Sequence, residues 1–90
     1  MTWVIKYTES ARRQLKKIDQ PTAVRILDYM AERIAILDDP RDAGKKLVGP
    51  QLGSYWRYRV GEYRIICDIQ DGQLCVLVIA IGNRREVYRK

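Results

Sequence analysis

The stretch Tyr55-Trp56-Arg57-Tyr58-Arg59-Val60-Gly61-Glu62-Tyr63-Arg64 decides the reading of this chain. It reads as two strands joined by Gly61-Glu62, a two-residue turn with glycine first, as a type II′ hairpin requires. Successive side chains of a strand point to opposite faces. Tyr55, Arg57 and Arg59 therefore share one face, and Trp56, Tyr58 and Val60 the other. The turn sets Val60 opposite Tyr63 and Arg59 opposite Arg64. Two guanidinium groups facing each other across a ladder repel, and Arg57 stands only two residues away. Such a surface calls for an anion, and phosphate matches the planar guanidinium fork.

Three strands are expected at 55–60, 63–70 and 73–81, an antiparallel meander with Asp71-Gly72 as its second tight turn. With Gln70 opposite Gln73, Cys67 faces Val76 and Cys75 faces Asp68. The two sulfurs then lie on opposite faces, which argues against a disulfide between them. Leu74 to Ile81 is apolar on both faces and reads as a central strand, so it needs another neighbour. The alternating run Trp3-Val4-Ile5-Lys6-Tyr7 is the strand left to supply one. Between them, Thr8 or Ser10 can cap a helix to about Ile18 that turns Ala11, Leu15 and Ile18 inward. Pro21 suits the first turn of a second helix running to about Leu37. That helix is expected to bury Val24, Leu27, Ala31 and Ile34, with Met30 and Leu37 at its edges. Residues 41–54, with Gly44, Gly49, Pro50 and Gly53, read as a loop carrying Lys45 and Lys46.

The expected fold is α+β with the order β-α-α-β-β-β: two helices on one face of a four-stranded, mainly antiparallel sheet, forming one domain over residues 1–90. One sheet face holds Trp56, Tyr58, Val60, Tyr63, Ile65, Cys67, Val76 and Val78, under the helices. The other holds Tyr55, Arg57, Arg59, Arg64, Ile66, Asp68, Cys75, Leu77 and Ile79, apolar toward the last strand and basic toward the hairpin. Arg84, Arg85, Tyr88, Arg89 and Lys90 follow the last strand and can fold back beside it.

Charge follows the same division. The chain carries +6 overall. Residues 1–40 hold 7 Lys/Arg against 6 Asp/Glu, and residues 41–90 hold 10 against 5, so the excess sits in the strand-rich half. This asymmetry favours a polyanionic partner. No apolar run approaches the roughly 20 residues of a membrane helix, and the expected location is the cytoplasm.

These residues, read together, resemble the RelE/ParE superfamily of bacterial toxins. The resemblance spans the element order, the Lys45-Lys46-Leu47 loop, Tyr55 to Arg64, the Asp71-Gly72 turn and Val78 to Tyr88, closing on Gly82-Asn83-Arg84-Arg85-Glu86-Val87-Tyr88. It implies a RelE-like fold and a toxin of a type II toxin–antitoxin system. RelE-type members are ribosome-dependent ribonucleases that cut messenger RNA in the decoding site without a metal. By that likeness Arg57, Arg59, Arg64, Arg84 and Tyr88 are the catalytic candidates, with Lys45, Lys46, Arg85 and Arg89 as RNA-binding residues. ParE-like relatives, which poison DNA gyrase, generally lack the closing tyrosine, so Tyr88 points to the ribonuclease branch. Also implied are a small acidic antitoxin as partner, the ribosome and mRNA as target, and operator DNA reached only through the antitoxin.

The chemistry is consistent with that implication. Cleaving RNA through its 2′-hydroxyl needs a base, stabilisation of a pentavalent phosphorane and a proton for the leaving 5′-oxygen. The chain has no His, and neither its acidic residues nor its cysteines show the spacing of a metal site. No cofactor is expected, and catalysis rests on positioning and electrostatics. Arg57 and Arg59 stand where some relatives carry lysines. Arginine stays protonated and cannot be the base. The base remains open among Tyr88, Lys45, Lys46, Glu86 and a group on the ribosome. Two other functions stay in view: a ParE-like gyrase inhibitor, and a weakly active toxin working chiefly in a repressor complex with its antitoxin. Arg12, Arg13, Lys16 and Lys17 read as a solvated helix face, and Trp56 and Tyr58 as core.

Overall fold

Gly61 adopts a φ of +59°, and the hairpin closes with Val60 opposite Tyr63, Arg59 opposite Arg64 and Tyr55 opposite Asp68. A computed structural model of the chain describes residues 2–49 and 53–83. Strand β1 (Val4–Tyr7) leads into helices α1 (Glu9–Lys17) and α2 (Gln20–Tyr29). A π-helical turn (Met30–Ile34) extends α2, and a 3₁₀ turn follows at Pro40–Ala43. Strands β2 (Lys45–Lys46), β3 (Tyr55–Val60), β4 (Tyr63–Gln70) and β5 (Cys75–Asn83) complete one sheet in the order β1-β5-β4-β3-β2. As expected, β1 lies beside the last strand, and it runs parallel to it.

Each helix start has a side-chain cap. Thr8 Oγ1 accepts the Ala11 N–H at 3.1 Å, so Thr8 rather than Ser10 opens α1. The Asp19 carboxylate accepts both the N–H and the hydroxyl of Thr22, at 3.1 and 2.7 Å, and Pro21 sits in the first turn of α2. Ala11 is fully buried, with Leu15 and Ile18 packed against the core beside it.

The face that α2 buries differs from the expected one. Ile26, Met30 and Ile34 are fully buried, whereas Val24 is 46 % and Leu27 39 % exposed and Ala31 is exposed as well. The rows 24-27-31-34 and 26-30-34 both repeat at helical spacing, so periodicity alone cannot rank them. The second row brings the bulkier side chains and places Tyr29 edge-on against Tyr58, ring centroids 6.5 Å apart. The π-helical turn then shifts the phase by one residue, through the Ala35 N–H to Met30 carbonyl bond of 2.9 Å. Ala35 is buried, and its carbonyl accepts the Trp3 N–H at 2.8 Å.

The second turn is longer than expected. Asp71–Gln73 forms a 3₁₀ turn, and Leu74 follows in the left-handed region at φ 49°, ψ 48°. Gln70 therefore pairs with Cys75, Cys67 with Val78 and Asp68 with Leu77. This register lies two residues from the one that Asp71-Gly72 alone predicts. Leu74 explains the change: its side chain packs on the core, its N–H donates to Asp71 and its carbonyl accepts from Val4. A two-residue shift preserves the alternation of faces. Tyr58, Val60, Ile65, Cys67, Val76 and Val78 accordingly remain in the core, and the two cysteines are buried and free.

Two further departures shape the surface opposite the helices. Lys45 and Lys46 form a fifth strand on the edge of β3, where the sequence predicts only loop. Lys45 pairs with Arg57, Lys46 with Trp56, and the Leu47 N–H reaches the Tyr55 carbonyl at 3.0 Å. Two residues are too short a strand to show an alternation. The second departure is a bulge on β5: Cys67 pairs with Val78 but Ile66 with Ala80, which leaves Ile79 as the extra residue. Beyond the bulge Ile81 enters the core, while Ala80 and Gly82 take the places opposite Ile66 and Arg64. Past the end of β1, the Gln14 side-chain carbonyl accepts the Ile81 N–H at 2.7 Å and so covers the edge of β5.

Candidate nucleic-acid interface

Directly paired residues of adjacent strands share a face, so the registers place the basic side chains in rows. One row crosses the sheet as Lys45, Arg57, Ile66 and Ala80. The next holds Arg59, Arg64 and Gly82. Four of the residues predicted to handle RNA, Lys45, Arg57, Arg59 and Arg64, therefore converge on one surface of β2, β3 and β4. Lys46 does not join them, because it shares the helix-side face with Trp56. The structure thus separates two lysines that the sequence treats as a pair.

The floor of this surface is low on one side. Ala80 and Gly82 give β5 almost no side-chain relief beside Ile66 and Arg64, so a ligand can approach the backbone there. Ile66 is 4 % exposed although it lies on the basic face, and the apolar character expected near the last strand is present at this point. A row nearer the second turn holds Tyr55, Asp68, Leu77 and Lys6.

Asp68 and Glu62 are the carboxylates available to neutralise the arginines. Asp68 instead accepts a hydrogen bond from the Gln70 amide at 3.1 Å. Among the described residues the ion pairs are Glu9–Arg13, Asp39–Arg41 and Asp71–Arg41, and none involves Arg57 or Arg59. Arg59 stands exposed on this face opposite Arg64, so its cation is available to an anion.

The flank of the surface is held by Arg41, a residue sequence reasoning passed over. Its guanidinium bonds both oxygens of Asp71 and Oδ1 of Asp39 at 3.2 Å, and lies 5.9 Å from the Trp56 ring centroid. It ties the 3₁₀ turn before β2 to the turn between β4 and β5. The Arg41 guanidinium beside it holds the Asp71 carboxyl below the usual carboxylate range. On the same 3₁₀ turn the buried Tyr58 hydroxyl donates to the Pro40 carbonyl at 2.7 Å, and burial raises the Tyr58 pKa. These two contacts fix where β2, and hence Lys45, lies. Their sequence signal is weak, since Arg41 and Asp71 are 30 residues apart. Trp56 and Tyr58 pack with the core, as expected of the side chains that alternate with arginines.

Cys67 is no candidate nucleophile, because complete burial pushes its thiol pKa up. Arg84, Arg85, Tyr88 and Arg89, the remaining predicted site residues, lie outside the described residues.

Two helices covering one face of a mixed five-stranded sheet, with cations gathered on the other, define the class: a small α+β domain that presents a basic sheet face. The family model described as the ParE toxin of type II toxin–antitoxin systems, parDE, matches residues 5–88, and the chain belongs to this family, within the RelE/ParE toxin superfamily. Toxin RelG of Mycobacterium tuberculosis is 24 % identical over 90 residues, covering 100 % of both chains. Among solved structures, a chain of the toxin–antitoxin complex RelBE2 of M. tuberculosis superposes with a TM-score of 0.84 at 22 % identity, covering 96 % of this chain and 95 % of that one. The isolated RelE toxin of Escherichia coli gives 0.70 at 20 % identity over 96 % of this chain and 90 % of that one. The archaeal RelE–RelB complex of Pyrococcus horikoshii gives 0.74 at 21 %, over 97 % and 100 %.

Proposed function

We propose that this toxin is a ribosome-dependent, metal-independent endoribonuclease that cuts mRNA in the decoding site through its 2′-hydroxyl and so inhibits translation. The observation that carries the reading is the convergence of Lys45, Arg57, Arg59 and Arg64 on one sheet face, with Arg59 directly opposite Arg64. A phosphorane gathers negative charge on its equatorial oxygens. Fixed guanidinium groups stabilise that charge more than they stabilise the ground-state diester. Arg64, on a central strand, and Arg57 are the groups assigned to the reacting phosphate. Arg59 and Lys45 hold the neighbouring backbone. Arg84 and Tyr88 complete the site by their likeness to the RelE pattern, Tyr88 stacking on a base or moving the proton. Arg85 and Arg89 extend the RNA track. The partners follow from the same reading: a cognate antitoxin that neutralises the toxin, with operator DNA reached through that antitoxin, in the cytoplasm.

The test is cleavage-site mapping of an mRNA on programmed ribosomes, with wild type, Arg64→Ala, Arg84→Ala and Tyr88→Phe. Cuts in the decoding site that need ribosomes, persist in EDTA and fade in the variants are expected. Well-folded wild type that leaves the mRNA intact refutes the proposal. The ParE description of the matching family favours a second reading, inhibition of DNA gyrase, and a supercoiling assay reads it out directly.

A further inference from the structure

Beside the basic face, a cavity of about 360 Å³ opens between α2, its π-helical extension and the β3–β4 turn. Its walls carry Arg25, Arg33 and Arg59, the carboxylates of Asp28 and Glu32, and the Tyr29 ring. None of the three guanidinium groups forms an ion pair among the described residues, although two carboxylates stand in the same wall. Arg59 belongs to both places, because it also pairs with Arg64 on the sheet. The cavity therefore shares a residue with the basic face. Gly61 keeps its mouth open: the turn bears no side chain there, and the Arg25 Nη1 lies 3.5 Å from where a Cβ would stand.

The size and chemistry fit one nucleotide. Small-ligand sites begin at roughly 300 Å³. Three cations from separate elements suit a phosphate, and a half-buried tyrosine offers a ring against which a base can lie. The carboxylates add selectivity. A carboxylate accepts hydrogen bonds, so it favours base edges that carry an amino group, such as cytosine N4, over the two carbonyls of uracil. An acidic peptide would find the same arginines, but its side-chain carboxylates offer no hydrogen-bond donor to Asp28 and Glu32.

We propose that this cavity is a nucleotide subsite for single-stranded RNA, taking a phosphate on Arg25, Arg33 and Arg59 and an amino-bearing base edge on Asp28 or Glu32. The inference rests on the ribonuclease reading and extends it to sequence preference. Fluorescence anisotropy of labelled C5 and U5 RNA, with the full chain over a salt series, tests it. Arg33→Ala is expected to weaken C5 binding roughly tenfold and to reduce the salt slope by about 0.7, one phosphate contact on a single strand. Glu32→Gln is expected to erase the preference for C5 over U5. Arg57→Ala serves as the sheet-face control. If Arg57→Ala weakens binding while Arg25→Ala and Arg33→Ala do not, the cavity proposal fails and the ribonuclease reading stands. Equal binding of C5 and U5 by wild type overturns the base-edge assignment. If a pentaglutamate peptide depends on Arg33 and RNA does not, the occupant is an acidic protein and the proposal is wrong. Wild type that binds neither RNA overturns the subsite, and mRNA cleavage on ribosomes then reports separately on the ribonuclease reading.

Discussion

Replacing Tyr58 by phenylalanine isolates one buried hydrogen bond that positions the edge of the basic face. Tyr58 is 1 % exposed, and its hydroxyl donates to the Pro40 carbonyl at 2.7 Å. Phenylalanine keeps the ring, its packing in the core and its edge contact with Tyr29. What is lost is the bond, and the carbonyl of the buried Pro40 loses that donor. Leaving a buried acceptor without its partner costs about 1–3 kcal/mol, so at neutral pH the variant should be less stable by that amount. Alkaline pH supplies an internal control. Burial raises the Tyr58 pKa above its ordinary 10.0 in the folded state. The stability tied to its neutral form is thus fully present below pH 10 and is lost as pH rises beyond it, because the unfolded chain ionises first. Phenylalanine does not titrate, so the gap between variant and wild type should narrow above pH 10, by at most about 1.4 kcal/mol per pH unit. Urea denaturation followed by circular dichroism at pH 7, 9 and 10.5 measures both effects, with an unchanged m-value showing that the unfolded state is the same. Equal stability at pH 7 together with parallel alkaline slopes would refute the argument that this hydroxyl holds the Pro40 turn.

Other consequences are as direct. Lys45→Ala should impair mRNA cleavage while Lys46→Ala leaves it near wild type, since only Lys45 shares a face with Arg57; equal losses in the cleavage assay would count against that separation. Ile26→Ala should cost about 2–4 kcal/mol in chemical denaturation and Val24→Ser less than about 0.5, which reverses the ranking expected from the sequence. Arg41→Ala should speed amide exchange of Leu47, whose N–H closes β2 onto β3, at neutral pH. The Asp71 carboxyl is held below its ordinary 3.8, so the clamp is present above about pH 4 and lost as pH falls through the lowered value. Wild type and variant should therefore exchange alike in acid, and a difference that persists there would point to the Trp56 contact instead.

What could be read beforehand depended on how local the signal was. The hairpin from Tyr55 to Arg64 carries its own register, because a two-residue turn with glycine first allows one pairing, and the structure keeps Arg59 opposite Arg64. The Asp71-Gly72 turn looked equally informative, yet Leu74 lengthened it by finding a place in the core. The site divides in the same way. Arg57, Arg59 and Arg64 were legible from alternation, whereas Lys45 and Lys46 could be told apart only by their partners on β3. Arg41, Gln14 and the bulge at Ile79 left no pattern to read, since each acts on segments distant in sequence.

Legible in the sequence alone were the order of elements apart from β2, the alternation that puts arginines on one sheet face and aromatics on the other, and the neighbours of β5. These rest on hydrophobic period and turn chemistry, which act over a few residues. Packing settled which row of α2 is buried, where β5 bulges to set Ala80 and Gly82 beside the arginines, and which of Lys45 and Lys46 joins them. Those outcomes depend on which side chains fill a shared core best and on which backbone groups are left to pair, and neither is defined until the layers meet.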